Sequence, residues 1–314
     1  MEDISTHINY IEKGISIIVP VFNSEKSIKE LNKRIITVLN NEDLDYEIIY
    51  INDASEDSSY KIIKSISIDN ENIKGIDLNK NFGQHNALLC GIRNAKYDIV
   101  ITLDDDLQNP PEEIPKLLKK IDEGYDVVYG YPKEEKHSYL RNWASIFTKF
   151  ALKTAMGVAN VRHVSSYRAF KKKLAESFES YKGSFVSIDV LLSWGTNSFT
   201  SIPVDHEERT GSKSNYTFKK LFNHALNMIT GFSVLPLQIA SMMGLLLSLF
   251  GLGVLIYVLG RFMLQGSPVP GFPFIASIIS IFSGAQLLAL GIIGEYLARM
   301  HFRVMNKPQY LVKK

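Results

Sequence analysis

The chain has 314 residues, 46% hydrophobic and 22% charged, which is ordinary for globular protein and long enough for two domains. Its 35 Lys and Arg against 33 Asp and Glu leave a net charge of +2, so electrostatics give no reason to expect a nucleic acid partner. Cys90 is the only cysteine, which excludes an internal disulfide and fits a reducing compartment, and residues 1–13 lack the apolar core of a secretion signal.

Charged and apolar segments alternate through the first two-thirds of the chain. Residues 14–21 (GISIIVPV) read as a first strand, followed by a turn at Phe22-Asn23-Ser24-Glu25. Ser24 or Ser27 is placed to cap a helix running to about Asn40. A second strand, 46–51, ends on the polar run Asn52-Asp53-Ala54-Ser55-Glu56-Asp57, and a helix covers 58–67. Residues 73–78 form a third strand, and a loop at 79–85 leads into a helix over 86–94 that carries Cys90 as a small buried hydrophobe.

The fourth strand is the most informative. Ile99, Val100, Ile101 and Leu103 do not alternate with polar residues, so this strand is expected to be buried on both faces. It stops on Asp104, Asp105 and Asp106, and Pro110 and Pro111 then pre-set a helix over 112–123. Three adjacent carboxylates repel one another, which a fold tolerates best when a cation shares the site; a solvated acidic turn is the alternative for the triplet alone. A fifth strand follows at 126–131. Strand and helix alternation predicts an α/β fold with a mostly parallel, doubly wound sheet. The polar strand ends then converge on one edge as a binding cleft.

Beyond these, residues 187–191 read as a buried helix with one acid, Asp189, and residues 198–204 as a strand. Residues 232–260 and 262–294 contain no charge, and each exceeds the roughly 20 apolar residues that span a bilayer. Spanning helices are expected at 235–263 and 274–298, separated by the helix-breaking 265–271. Lys213, Lys219 and Lys220 before them, and Arg299, Arg303, Lys307, Lys313 and Lys314 after them, put both ends on the cytoplasmic side, with Arg261 the one dissenting charge. Residues 217–230 have the pattern of an amphipathic interfacial helix. Gly244, Gly251, Gly253, Gly284, Gly291 and Gly294 allow close packing, either within the hairpin or between copies of the chain. Glu295 is expected to pair with Arg299 one turn on.

Four segments in order, VPVFNSE (19–25), NDASED (52–57), NFGQH (81–85) and LDDDLQNPPE (103–112), resemble the family-2 glycosyltransferases. Within that family the chain is most similar to bacterial enzymes that load a sugar onto undecaprenyl phosphate, of the glucosyl and aminoarabinose types, and more distantly to dolichyl-phosphate mannose synthases. The resemblance implies a glycosyltransferase-A fold and inverting transfer from a nucleotide sugar, UDP-glucose for preference, to undecaprenyl phosphate. It also implies site roles. Pro20, Val21, Asn23, Glu25, Asp53, Gln84, Asp104 and Asp105 would hold the nucleotide sugar, with Asp53 on uracil or ribose; an Asx-turn is the alternative for Asp53. Asp106 and Gln108 would ligate Mg²⁺ or Mn²⁺.

Residues 206–216 resemble the family's basic signature before the membrane, with His206, Arg209, Ser214 and Tyr216 at matching positions. Gly211 is displaced by one, with Ser212 in its place, and Asn215 replaces a lysine for which Lys213 stands in. Arg209, Ser212, Lys213, Ser214 and Tyr216 would hold the acceptor phosphate, joined by Arg168 or Arg162, either of which could instead be a structural ion pair. The segment could also serve only to attract anionic lipid. Lys133 would replace a basic pair the family carries after the fifth strand, and Asp189 would orient a basic side chain or assist as a base. The implied organisation is a transferase domain at 1–215, an interfacial helix at 216–231, two membrane helices at 232–300 that favour a homo-oligomer, and a basic tail at 301–314. This places a multi-pass protein in a bacterial inner membrane. The rivals are a processive polysaccharide synthase, for which no product-gripping signature appears, and a nucleotide-sensing membrane scaffold.

Overall fold

The computed structural model describes residues 14–42, 44–133, 163–183, 185–207, 235–265 and 271–313, with Met156 and Thr230. In order these form β1 (Ile15–Val21), α1 (Ile28–Asn41), β2 (Tyr46–Asn52), α2 (Ser59–Asp69), β3 (Ile73–Asp77), α3 (Gln84–Asn94) and β4 (Ile99–Thr102). A 3₁₀ turn (Pro111–Glu113) then leads into α4 (Ile114–Asp122), followed by β5 (Val127–Pro132), β6 (Arg168–Lys171), α5 (Ile188–Ser193) and β7 (Phe199–Val204). Two long helices close the chain, α6 (Leu235–Gln265) and α7 (Phe272–Val304).

The strands make one sheet in the order β3-β2-β1-β4-β6-β5-β7. β1 pairs in parallel with β2 and β4, β2 with β3, and β5 with β7, as the alternation predicts. β6 was not expected. It lies antiparallel between β4 and β5, a four-residue strand whose terminal Arg168 and Lys171 conceal an apolar pattern. Register brings the strand ends level: Val21 faces Asn52, and Asn52 faces Asp77. The polar termini therefore do converge on one edge.

Period-two side-chain alternation divides the core between the two faces of the sheet. Ile15, Ile17, Val19 and Val21 pack with Ile28, Leu31 and Ile35 of α1 and with Ile114, Leu117 and Ile121 of α4. Ile18, Ile49 and Ile51 face the other way, onto Leu88, Leu89 and Cys90 of α3 and Val190 and Leu191 of α5. Each fully buried aliphatic side chain contributes about 1.5–3 kcal/mol. Gly91 is what lets α3 lie this close, since a Cβ there would sit 2.4 Å from Ile18 Cγ2 and 2.8 Å from Ile51 Cδ1.

Some local expectations are corrected. Ser27 occupies the N-cap position of α1 but makes no side-chain cap bond; its hydroxyl donates instead to the Asp105 carbonyl at 2.5 Å, with the Ser24 carbonyl 3.2 Å away. Helix α3 begins two residues earlier than expected, at Gln84. α7 runs on to Val304 because neither glycine nor proline interrupts residues 299–304.

Windows of α6 (Pro236–Val254) and α7 (Ile281–His301) are long and apolar enough to cross a membrane, and neither is buried within the chain. Gly251 meets Phe282, with an added Cβ only 2.9 Å from its ring, whereas Gly253, Gly260, Gly284, Gly291 and Gly294 face open space; Gly244 borders a cavity between the two helices. Glu295 pairs with Arg299 at 2.7 Å as expected. The segment 216–231 lies outside the described residues except for Thr230.

The segment expected as a basic tail is built into the domain. After a turn at Asn306 (φ 49°), Val312 forms an antiparallel bridge with Leu78 at the end of β3. Asn79 N–H donates to the Leu311 carbonyl and Lys313 N–H to the Asp77 carbonyl, both at 2.8 Å. The Lys313 ammonium also pairs with the Asp77 carboxylate at 2.8 Å. Buried Gln309 donates to the Tyr181 carbonyl at 2.9 Å and the Gly183 carbonyl at 3.2 Å, while its side-chain oxygen accepts from Arg93 at 2.9 Å.

Candidate active site

The cleft is assembled from loops at the carboxyl ends of β1, β2, β3 and β4 and from the exit of β7. The first two loops are laced together. Asn23 takes a left-handed conformation (φ 55°); its N–H donates to Ser55 Oγ at 3.0 Å and its Oδ1 accepts from Glu56 N–H at 2.8 Å. Glu25 N–H donates to Asp57 and the Glu25 carboxylate accepts from Ser58 N–H, each at 3.0 Å. Pro20 and Val21 are buried below, with the Val21 carbonyl taking the Asp53 N–H at 2.8 Å.

Asp53 is buried, and its two oxygens accept from the N–H groups of Phe82 at 2.7 Å and Gly83 at 2.8 Å. Burial raises its pKa, and those two donors oppose the shift. This is a long-range clamp rather than an Asx-turn. It fixes Gly83 at φ 90°, a conformation that side chains adopt only under strain, directly before α3.

The three acids point to different partners. Asp104 accepts from the Gln84 amide at 2.7 Å and from the Ser166 hydroxyl. Its pKa is raised by burial and by the charge of Asp106, against the pull of Ser166, Arg168 and Gln84. Asp105 turns back to the first loop, accepting from Phe22 N–H at 3.0 Å and Ser24 Oγ at 2.5 Å. Burial, reinforced by its two acidic neighbours, pushes it up to about 6. Asp106 accepts from Gln108 N–H at 3.1 Å, and Leu107 between them is left-handed (φ 62°).

Two residues past β7, His206 Nε2 lies 3.5 Å from Gln108 Nε2, and the Gln108 carbonyl takes the Glu207 N–H at 2.9 Å. Sequence reasoning put His206 with the acceptor segment; the structure brings it to the acid loop. Arg34 secures that junction. Its guanidinium donates to Glu112 at 2.9 and 2.7 Å and to Glu207 at 2.7 and 3.2 Å, which holds its pKa well above the usual value. A single arginine on a helix gives no sequence signal for this role.

Arg168 takes the second of its two expected roles. Its side chain is 2% exposed and ion-paired with Asp189, and its guanidinium lies 5.9 Å from the Tyr129 ring centre. It is therefore a structural ion pair rather than an exposed phosphate contact. Asp189, which also accepts from Tyr129 Oη at 3.0 Å, orients this basic side chain. Burial, followed by the Asp189 charge, holds the Tyr129 phenol well above its usual range. Lys133 forms an exposed pair with Asp205 at 2.6 Å, beside the β7 exit. Arg162, Arg209, Ser212, Lys213, Ser214 and Tyr216 lie outside the described residues.

No cluster of three or more His, Cys, Asp or Glu among the described residues makes a ready metal cage. Asp106 and the Gln108–His206 pair instead offer a small set of oxygen and nitrogen donors. The oxygens of Asp106 and Gln108 suit Mg²⁺ or Mn²⁺, which keep several ligands from water and substrate phosphates.

The family model described as Glycosyl transferase family 2 matches residues 16–189, from β1 into α5. Among solved structures, glucosyl-3-phosphoglycerate synthase from Mycobacterium tuberculosis in complex with Mn²⁺, uridine diphosphate and phosphoglyceric acid is 16% identical. It has a TM-score of 0.52 over 71% of this chain and 78% of that one. The uridine diphosphate complex of that enzyme is 17% identical, with a TM-score of 0.51 over 71% and 79%. Its complex with Mn²⁺, UDP-glucose and phosphoglyceric acid is 16% identical, with a TM-score of 0.51 over the same shares. At these identities the likeness is one of fold.

Proposed function

The chain belongs to glycosyl transferase family 2, and we propose that it transfers a monosaccharide from a nucleotide sugar to undecaprenyl phosphate at a bacterial inner membrane. UDP-glucose is the preferred donor, a UDP-aminoarabinose-type sugar the alternative. One observation carries the lipid acceptor. The six residues between Val304 and Leu311 join the end of α7 to the cleft end of β3. The seven Cα-to-Cα steps from Val304 to Leu311 reach at most about 25 Å, so the donor-side loops are held close to where α7 leaves its apolar stretch. The domain and both termini then lie on the cytoplasmic side, as the flanking Lys and Arg favour.

The chemistry suits the residues present. A phosphate monoester has a second pKa near ~6 and is mostly dianionic at neutral pH. It attacks the anomeric carbon without needing a strong base, which agrees with Asp189 being engaged by Arg168 and Tyr129. The phosphate oxygen forms the new bond as the bond to the nucleoside diphosphate breaks, and the anomeric centre inverts. Asp53, Asp104 and Asp105 hold the loops that receive the nucleotide; Pro20, Val21, Asn23, Glu25 and Gln84 complete them. Asp106, Gln108 and His206 would hold Mg²⁺ or Mn²⁺, whose charge stabilises the departing diphosphate. Arg209, Ser212, Lys213, Ser214 and Tyr216 are assigned to the acceptor phosphate, for which arginine supplies a planar donor fork. The open faces of Gly253, Gly260, Gly284, Gly291 and Gly294 favour a homo-oligomer of the spanning helices.

The test offers the purified full chain a panel of UDP- and dTDP-sugars with undecaprenyl phosphate and reads label in the lipid extract. Transfer of one sugar, dependent on Mg²⁺ or Mn²⁺, is expected. A polymeric product, or nucleotide binding without transfer, would overturn the reading.

A further inference from the structure

We propose that the corner of the domain carrying Tyr181 and Trp194 rests on lipid headgroups, with the Trp194 indole seated at the membrane surface. The inference rests on the reading that α6 and α7 cross a bilayer. Gln309 is fixed to this corner by its bonds to the carbonyls of Tyr181 and Gly183, and Arg93 donates to the Tyr181 carbonyl at 3.1 Å. The spanning window of α7 ends at His301 and the helix at Val304. A turn at 305–306 keeps Val304 and Lys307 about 7 Å apart. Two further residues add at most about 7 Å, so Gln309 lies within about 14 Å of the helix end.

Trp194 packs edge-on against Tyr181 with ring centres 5.4 Å apart, yet it remains 49% exposed. Tyr181 is held firmly: its hydroxyl donates to the Phe185 carbonyl at 2.6 Å, and a Cβ at Gly183 would sit 2.1 Å from that hydroxyl. The corner thus presents a large amphipathic indole on a rigid base, with exposed Lys182 following Tyr181 in the chain. An aromatic ring flanked by a cation is what the headgroup layer accommodates, the ring at the acyl boundary and the ammonium among phosphates. Chain continuity from α7 favours a lipid surface over a second protein.

The experiment uses the full chain with Trp143→Phe, which leaves Trp194 as the only tryptophan. It is reconstituted in vesicles of phosphatidylethanolamine and phosphatidylglycerol, with or without acyl chains brominated near the headgroup. The vesicle-bound protein should resist carbonate extraction, and brominated lipid should remove about half of the Trp194 emission, as expected for an interfacial ring. The reciprocal Trp194→Phe chain should lose that quenched component relative to the unsubstituted protein, which keeps the test valid if Trp143→Phe folds poorly. Retention in vesicles with emission quenched by aqueous acrylamide but not by brominated lipid overturns the inference and leaves the spans standing. Shielding from both quenchers means a protein neighbour covers the ring and also overturns it. Release by carbonate overturns the inference together with the spans.

Discussion

The strand-end cleft and the paired long helices solve the problem of burial in opposite ways. In the cleft, Asp53, Asp104 and Asp105 are each tied to N–H or O–H donors from another loop, so internal bonds set the position of each group. Along α6 and α7, Leu245, Leu249, Leu287 and Leu290 stay more than half exposed, and most glycines face open space. The first region is specified from within; the second leaves its apolar side chains uncovered by the rest of the described chain. Substitutions should therefore act strongly in the domain and weakly along the helices.

The sharpest break should come at Arg168–Asp189. Asp189→Ala leaves a buried guanidinium unpaired and should cost about 3–5 kcal/mol in the domain, measured by urea unfolding of the detergent-solubilised chain. Pairing Asp189→Leu with Arg168→Met should recover most of that loss; no recovery would mean that packing rather than charge is responsible. Next, Asp106→Asn should lower sugar transfer about 10²–10³-fold, the scale for removing one preorganised electrostatic group, while the unfolding midpoint stays unchanged.

The two kinds of glycine give the direct contrast. Gly91→Ala must push Ile18 and Ile51 aside and should destabilise by about 1–3 kcal/mol, whereas Gly291→Ala meets nothing within 4 Å in the chain itself and should leave the domain's unfolding midpoint in place. Equal effects at both sites would erase the distinction drawn between the regions.

The smallest expected effect is a pH dependence at Glu47. Burial works to raise its pKa, but bonds from Lys74, Ser16 and the Lys96 N–H outweigh it, and the net shift is below the usual 4.5. A carboxyl depressed in the folded state stabilises above its unfolded pKa and loses that contribution as pH falls through the folded one. Glu47→Gln should therefore be less stable than the parent at neutral pH. The two should converge as the pH drops below 4.5, as followed by unfolding midpoints at successive pH values.

How far the sequence reveals this depends on whether a residue's neighbours in space are also its neighbours in the chain. Apolar runs ending on polar residues disclose β1, β2 and β4, the converging strand ends and the acid loop, because each signal is local. β6 stayed hidden because Arg168 and Lys171 are buried by distant partners, Asp189 and Asp126. For the same reason the sequence leaves Arg168 open between a phosphate contact and a structural ion pair. Arg34 joins Glu112 to Glu207 across the fold, and Gln309 meets Arg93 and Tyr181 only after α7 has brought the chain back. None of these long-range pairings leaves a periodic trace.

The central claim is that the acceptor is a lipid phosphate. The direct measurement gives the purified chain labelled UDP-glucose and Mn²⁺ with undecaprenyl phosphate and phosphoglyceric acid together, then partitions the products between butanol and water. Label in the butanol phase as a phosphate-linked monosaccharide is the predicted result; label on phosphoglyceric acid in the water phase would contradict the account.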